Sequence, residues 1–219
     1  IEQILSSHPK VFGADEVETI PYLIKKFFFD GIMNFDKENL RKIGDEYISK
    51  MKDFSNNAEK TTDKLPINFL SIGLIKLILT NSKIIHCSRN LKDTALSIYK
   101  NAFDINSIVW SNWQEDLVQY ISIYLNLMKF WEKKIPNFIY NLNYEKLINN
   151  PKAQIEKLLN FCELNWEEDC LNYNKKAAAI KTVSAMQARK PIYKTSLNSY
   201  EKYYNYLDMF KKIEELEKA

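Results

Sequence analysis

A short apolar run that turns directly into an amphipathic helix is the feature that most restricts the fold of this chain. Residues 83–87 are mostly apolar, which predicts a buried strand, and the run ends just before Arg89. From Leu91 onward apolar residues recur at helical spacing. Asn90 stands at the expected N-cap, and Asp93, three residues later, would complete a capping-box-like pair. A strand that leads straight into a helix is the repeating unit of α/β folds with a parallel sheet.

The rest of the chain repeats this alternation. Short strands are predicted near residues 11–12 and 138–142. Helical patterns cover residues 20–29, 38–54, 67–79, 115–134, 151–162 and 211–218. Loops are expected at residues 6–18, 55–62 and 101–112, and a less regular basic segment at 175–194. We therefore predict an α/β fold with a parallel sheet flanked by helices and substantial helical content.

Composition excludes several classes of protein. At 219 residues and 46% hydrophobic content, the chain is long and apolar enough to form one domain with a large core. A net charge of +3, from 31 basic and 28 acidic residues, is too small to indicate a nucleic-acid partner. The longest apolar stretch, residues 67–79, is interrupted by polar side chains such as Lys76, so no membrane span is predicted.

The cysteine content indicates a reducing cellular compartment. The chain has an odd number of cysteines, and their spacing does not match a metal site: Cys87, Cys162 and Cys170. Buried thiols in a reducing environment fit this pattern better than a disulfide framework, so we expect a cytoplasmic protein that needs no metal.

Arg89 and Ser97 are the residues of the strand–helix unit that suggest a ligand. In open α/β folds ligands bind at the carboxyl ends of the strands, where Arg89 lies, and Ser97 follows eight residues later. A planar guanidinium and a hydroxyl suit a phosphate monoester. The residues alone are equally compatible with a surface arginine and an ordinary helical serine.

This segment resembles the 3′-phosphate-binding element of sulfotransferases that use 3′-phosphoadenosine 5′-phosphosulfate (PAPS). In that family an Arg-Asn-Pro-x-Asp run is followed by a Ser eight residues after the Arg; Arg89 and Ser97 keep this separation, and Leu91 replaces the Pro. The similarity extends through most of the chain and is closest to bacterial sulfotransferases related to tyrosylprotein sulfotransferases. It implies a P-loop NTPase-like fold, a single domain over residues 1–219, and transfer of a sulfuryl group from PAPS to a hydroxyl acceptor.

The resemblance also implies catalytic residues. Glu16 lies in a His-Pro…Gly-x-x-Glu stretch that is similar to the family element containing the catalytic base, and Asp15 beside it could assist. Lys64 matches the lysine that stabilises the transition state, and Ser184 matches a serine with the same role.

The resemblance also implies which residues bind the nucleotide. Besides Arg89 and Ser97, these are Arg189, Tyr144 and Lys202. Arg189 would contact the nucleotide phosphates, Tyr144 would lie near the adenosine, and Lys202 would compensate for the basic residue that relatives often have at position 199.

Other residues allow several interpretations. Glu18 replaces an arginine that meets the peptide substrate in the animal enzymes, which argues against an acidic tyrosyl peptide. The acceptor class therefore stays open among a small molecule, a glycan and a tyrosyl peptide.

His8 and His86 could each be read as a base, but His86 lies inside a strand and His8 precedes a proline, so we expect both to be structural.

The beginning of the chain lacks the phosphosulfate-binding loop that relatives have before their first helix. We therefore expect a fragment of a longer protein, truncated at its amino terminus, with a helical-repeat domain as one possibility upstream. Two other functions stay open: a kinase-like phosphotransferase on the same fold class, and a non-catalytic nucleotide-binding or interaction module.

Overall fold

The structure is a computed structural model that describes residues 1–31, 34–55, 58–101, 103, 108–175 and 197–218. The chain divides into two compact units. The first unit comprises Ile1–Ile84 and Pro151–Pro191, and the second comprises Ile85–Asn150 and Ile192–Ala219. The expectation of a single domain over residues 1–219 stays a prediction.

Helices predominate over strands in the described residues. The four strands are β1 (Val11–Gly13), β2 (Lys60–Thr62), β3 (Ile84–Ser88) and β4 (Ile139–Asn143). The first helices are α1 (Glu2–Ser6), α2 (Thr19–Ile24, extended by a π-helical turn over Lys25–Phe29), α3 (Lys37–Ser55), α4 (Ile72–Ile78) and α5 (Leu91–Tyr99). They are followed by α6 (Gln114–Lys134), α7 (Tyr144–Asn149), α8 (Pro151–Phe161), α9 (Glu168–Leu171) and α10 (Met209–Lys218). Short 3₁₀ turns cover Pro66–Ser71, Val109–Asn112, Tyr173–Lys175 and Ser199–Tyr203.

The first unit contains a parallel pair of strands. β1 and β2 align Val11 with Lys60 and Gly13 with Thr62. The crossover between them consists of α2 and α3, as parallel pairing requires. In the same unit, α2, α3 and α4 pack around a buried aliphatic cluster of Ile20, Leu23, Ile43, Ile75 and Ile78.

The second unit contains the strand–helix feature described above. β3 pairs with β4 and leads into α5. The apolar face of α5 packs against α6 and α10 in a cluster that includes Ala95, Leu96, Leu117, Ile121, Met209, Phe210 and Ile213. This packing fixes the direction in which α5 leaves the strand.

The predicted elements are mostly present, with three differences. The polar loop predicted at 55–62 contains β2, and Tyr144–Asn149 forms a helix directly after β4. The strand predicted to be buried, β3, is half-buried, and its Cys87 is exposed, whereas Cys162 and Cys170 are buried as expected. Within the described part of the chain, no helix is both long and apolar enough to cross a membrane.

Candidate active site

The first unit brings Glu16 and Lys64 into direct contact. The Lys64 Nζ atom lies 2.6 Å from Glu16 Oε1 and 2.9 Å from Asp15 Oδ1. The two carboxyl groups follow β1 and the lysine follows β2, so the contact forms at the carboxyl ends of two parallel strands. A base candidate and a cation therefore lie within one hydrogen bond of each other, at the strand ends where α/β folds bind ligands.

The charge of Lys64 is stabilised by these neighbours. Partial burial of the side chain would by itself lower the pKa of Lys64, because an ammonium loses solvation there. The hydrogen bonds that Lys64 donates to Glu16 and Asp15 outweigh that effect, so its pKa lies above the ordinary value. Lys64 is accordingly a cation throughout the physiological pH range.

Glu2, which the sequence did not single out, organises the backbone around this pair. Glu2 Oε1 accepts a hydrogen bond from the Asp15 N–H at 2.9 Å and another from the Thr62 hydroxyl at 2.6 Å. Asp15 has a left-handed backbone with φ of 61°, a conformation that aspartate tolerates better than most residues. The Lys64 N–H donates to the Asp15 carbonyl at 3.0 Å. One carboxylate on α1 thus ties the ends of both strands together.

The second unit places Arg89 against Tyr144. The Arg89 Cζ atom lies 5.3 Å from the centroid of the Tyr144 ring, a cation–π distance. Arg89 follows β3 and Tyr144 follows β4, so the two residues meet at one end of the strand pair. Glu145 strengthens this junction, because its carboxylate accepts from the Asn90 N–H at 2.9 Å and from the Asn143 side chain at 2.9 Å.

The predicted N-cap of α5 is confirmed, but the capping box is not formed. The Asn90 side chain accepts from the Asp93 N–H at 3.0 Å, as an N-cap does. The Asn90 N–H donates to Glu145 instead of to Asp93. The Asp93 carboxylate is therefore available for other donors.

Asp93, which the sequence placed in a capping-box-like pair, instead holds a segment that is distant in sequence. Its side chain is 1% exposed, and its carboxylate accepts from the N–H groups of Asn198 at 2.8 Å and Tyr200 at 3.1 Å. Arg89 Nη2 lies 3.7 Å from the same carboxylate. Lys202 lies in the turn that Asp93 holds, and its side chain is exposed. Asp93 thus links Arg89 to the segment that contains Lys202.

Ser97 is half-buried on α5, one helical turn beyond Asp93. Because residues four apart lie on the same face of a helix, Ser97 and Asp93 share a face. Among the other predicted site residues, Ser184 and Arg189 lie outside the described residues.

Both histidines are held by neighbouring groups. His8 is buried, and its Nδ1 atom accepts from the Lys10 N–H at 3.1 Å. His86 Nδ1 is 2.7 Å from Asn141 Oδ1, and its Nε2 atom contacts the Tyr124 hydroxyl. These contacts agree with structural roles. In the described part of the chain, His, Cys, Asp and Glu form no group of three or more that could hold a metal ion.

Proteins with similar sequences include sulfotransferases and an uncharacterized protein. An uncharacterized protein of Aquifex aeolicus (strain VF5) is 34% identical over 99% of this chain and 31% of its own length. Mouse sulfotransferase 1B1 is 35% identical over 41% of this chain and 33% of its own length. The chain thus spans about a third of the length of these curated relatives.

A solved structure shares the fold. The sulfotransferase domain from the curacin biosynthetic pathway superposes with a TM-score of 0.51 at 14% identity, over 99% of this chain and 92% of that one. Its likeness supports the predicted α/β fold of the P-loop NTPase-like type. The family model described as "Sulfotransferase family" matches residues 1–168, which include the strand ends bearing Glu16, Lys64, Arg89 and Tyr144. On this match, the chain belongs to the sulfotransferase family.

Proposed function

We propose that the protein containing this chain transfers a sulfuryl group from PAPS to a hydroxyl acceptor. The observation that supports this most directly is the 2.6 Å contact between Glu16 and Lys64 at the ends of two parallel strands, in a member of the sulfotransferase family. Transfer to a hydroxyl requires a group that takes a proton and a group that offsets negative charge on the leaving oxygen. A carboxylate next to an ammonium supplies both.

Glu16 is the proposed base and Lys64 the proposed electrostatic stabiliser. When Glu16 takes the acceptor proton, its attraction for Lys64 falls, and the ammonium can turn to the oxygen on which charge develops. Asp15, at 2.9 Å from Lys64, keeps the ammonium near the strand ends during this exchange. Ser184 is proposed as a further donor to the transition state.

Arg89 and Ser97 are the proposed ligands of the 3′-phosphate. A guanidinium and a hydroxyl are both donors, as a phosphate monoester requires. Arg89 Nη2 is 3.7 Å from the Asp93 carboxylate, and Ser97 follows Asp93 by one helical turn on α5. Lys202 and Arg189 would add positive charge, and Tyr144, already packed against Arg89, would lie near the adenine. Bound PAPS would supply the activated sulfuryl group; the protein would orient it and neutralise its charge.

The test is turnover by the full-length protein with PAPS and a panel of hydroxyl compounds, followed by mass spectrometry. We expect a sulfated product together with adenosine 3′,5′-bisphosphate. Glu16→Gln should lower kcat on the order of 10²-fold or more while leaving bisphosphate affinity nearly unchanged.

The matched control is Glu38→Gln, which removes an exposed carboxylate of α3 that pairs with Lys42 at 2.9 Å. This variant should retain wild-type kcat. An active Glu16→Gln enzyme would contradict the assignment of the base, and a failure to bind the bisphosphate would favour a non-catalytic interaction module.

We also propose a cytoplasmic location and no requirement for a metal. The odd number of cysteines, two of which (Cys162 and Cys170) are buried, supports a reducing compartment, and the proposed reaction needs only proton transfer and charge stabilisation. The mild net charge of +3 supports a small or polypeptide acceptor over a nucleic acid.

A further inference from the structure

A cleft lies directly beside the proposed base in the first unit. It has a volume of about 450 Å³, which is within the range of small-molecule sites. Its walls come from the start of α2 and the end of α3, and Glu16 forms part of its lining. A hydroxyl compound in this cleft would therefore lie next to the group proposed to take its proton.

Two aromatic side chains give the cleft an apolar wall. Tyr22 and Phe54 line it and remain 44% and 51% exposed. Covering a half-exposed aromatic ring with a second ring is favourable, because apolar area is buried and the two rings attract each other. The wall favours an acceptor that contains an aromatic ring.

The polar part of the lining favours a cationic ligand over an anionic one. Glu18 and Asp53 contribute carboxyl groups, and Lys50 is the lysine of the lining. Lys50 Nζ lies 4.4 Å from the centroid of the Tyr22 ring, so this ammonium is engaged in a cation–π contact. Lys26 also lies near Tyr22, but it pairs with Glu46 at 2.6 Å.

We propose that this cleft binds the acceptor, and that the acceptor is a phenol or aromatic alcohol with an amino group. This inference rests on the proposed function, in which Glu16 is the base. The ring would lie against Tyr22 and Phe54, the hydroxyl would face Glu16, and the amine would meet Glu18 and Asp53. An acidic peptide would be repelled by the same two carboxyl groups.

The chemical step in this arrangement is balanced without another reactant. The acceptor hydroxyl gives its proton to Glu16, and its oxygen forms the new bond to sulfur. The bond from sulfur to the bridging oxygen breaks, and the electron pair leaves with adenosine 3′,5′-bisphosphate.

The test compares three phenols that differ in the charge of the group at the end of the para substituent. Tyramine has an ammonium, 4-propylphenol a neutral methyl group, and 4-hydroxyphenylacetate a carboxylate. Calorimetry on the full-length protein should show that tyramine binds about tenfold more tightly than 4-propylphenol. This ratio of affinities corresponds to the contribution of one hydrogen bond to a charged group. The carboxylate compound should bind most weakly. The double variant Glu18→Gln/Asp53→Asn should remove the advantage of tyramine without changing the affinity for 4-propylphenol. Phe54→Ala should weaken the binding of both.

Asp45→Asn is the matched control, because Asp45 is an exposed carboxylate on α3 that is not part of the cleft lining. It should leave all three affinities unchanged. Equal binding of the amine and the carboxylate compound, or no effect of the double variant, would overturn this inference even if another hydroxyl compound is sulfated. Tyramine binding that depends on Glu18 and Asp53, without sulfation of any acceptor, would instead support the cleft and refute the proposed function.

Discussion

At the scale of single residues, the site depends on carboxylates that do no chemistry themselves. Glu2 accepts from both the Asp15 N–H and the Thr62 hydroxyl. Asp93 accepts from two N–H groups of the segment that contains Lys202. In both cases one side chain fixes the position of a proposed site residue that is distant in sequence. We regard both as positioning residues.

The first prediction concerns Glu2. Glu2→Ala removes the acceptor of two hydrogen bonds and leaves the Asp15 N–H without its partner, so Glu16 and Lys64 lose their fixed spacing. We expect kcat to fall by at least about tenfold, because misplacing a catalytic group by about 1 Å can cost on the order of 10²-fold in rate. KM for PAPS should change less. Steady-state kinetics measure both.

Glu2→Gln is the matched variant, because its side-chain carbonyl can still accept both hydrogen bonds. It should recover most of the lost kcat. If Glu2→Ala and Glu2→Gln were equally impaired, a role for the negative charge itself would replace the positioning role.

The second prediction concerns Tyr124 and alkaline pH. Burial, followed by the nearby Cys87 and Glu132, raises the pKa of Tyr124 to about 12. In the unfolded chain the phenol loses its proton near pH 10, so between about pH 10 and 12 only the native state keeps it. The free energy of unfolding should therefore be unaffected by this group below pH 10. It should fall by about 1–2 kcal/mol as the pH rises towards 12.

Urea unfolding at pH 8, 10 and 11 measures this effect. Tyr124→Phe should show a smaller loss than the wild type, because it cannot ionise. Tyr206→Phe, which alters a tyrosine that is 82% exposed, should keep the wild-type loss. Identical profiles for all three proteins would exclude the contribution of Tyr124.

At the scale of elements, close packing of helices sets the frame of the first unit. Gly44, on α3, is buried where that helix meets the end of α4. A Cβ atom added at Gly44 would lie 2.3 Å from the carbonyl oxygen of Ile78. Because the obstructing atom belongs to the backbone, a rotamer change cannot relieve the clash. The close approach of α3 and α4 therefore requires glycine at this position.

The third prediction follows from this approach. Gly44→Ala should lower the free energy of unfolding by about 3 kcal/mol, despite the better helix propensity of alanine, because overpacking forces the two helices apart. Denaturant titration measures the change.

The control for this substitution is Ser49→Ala, at an exposed position of the same helix, which should change stability by no more than about 0.5 kcal/mol. A neutral Gly44→Ala would show that α3 can move away from α4 at little cost.

At the scale of the whole molecule, the proposed sulfuryl transfer uses two groups of residues. Glu16 and Lys64 would act on the acceptor and the leaving oxygen, and Arg89 and Ser97 would bind the nucleotide. The fourth prediction concerns ligand-induced stabilisation. Adenosine 3′,5′-bisphosphate binds the native state in our proposal, so at 100 times its Kd it should raise the free energy of unfolding of the full-length protein by about 2.7 kcal/mol. A thermal shift assay should detect this as a higher Tm.

Arg89→Ala should abolish the shift, whereas Arg41→Ala, which removes an exposed arginine of α3, should retain it. Adenosine 5′-monophosphate, which lacks the 3′-phosphate, should stabilise the wild type much less. An equal shift with both nucleotides would contradict the assignment of Arg89 to the 3′-phosphate.

Patterns among neighbouring residues were enough to predict most of the individual helices and strands. The apolar run before Arg89, the N-cap at Asn90 and the helical spacing after it depend on neighbouring residues, and β3 and α5 formed near the predicted positions, although β3 is less buried than predicted. The motifs likewise led to the family before any geometry was known, and the matching family model confirmed it.

The contacts between segments that are distant in sequence became visible only in the folded chain. Lys60–Thr62 has the composition of a polar loop, and it is a strand because β1 supplies a pairing partner about fifty residues earlier. The roles of Glu2 and Asp93 have the same origin, since each accepts hydrogen bonds from residues far along the chain. A hydrogen bond between remote segments leaves no periodic pattern in the sequence, because only the folded chain brings its donor and acceptor together.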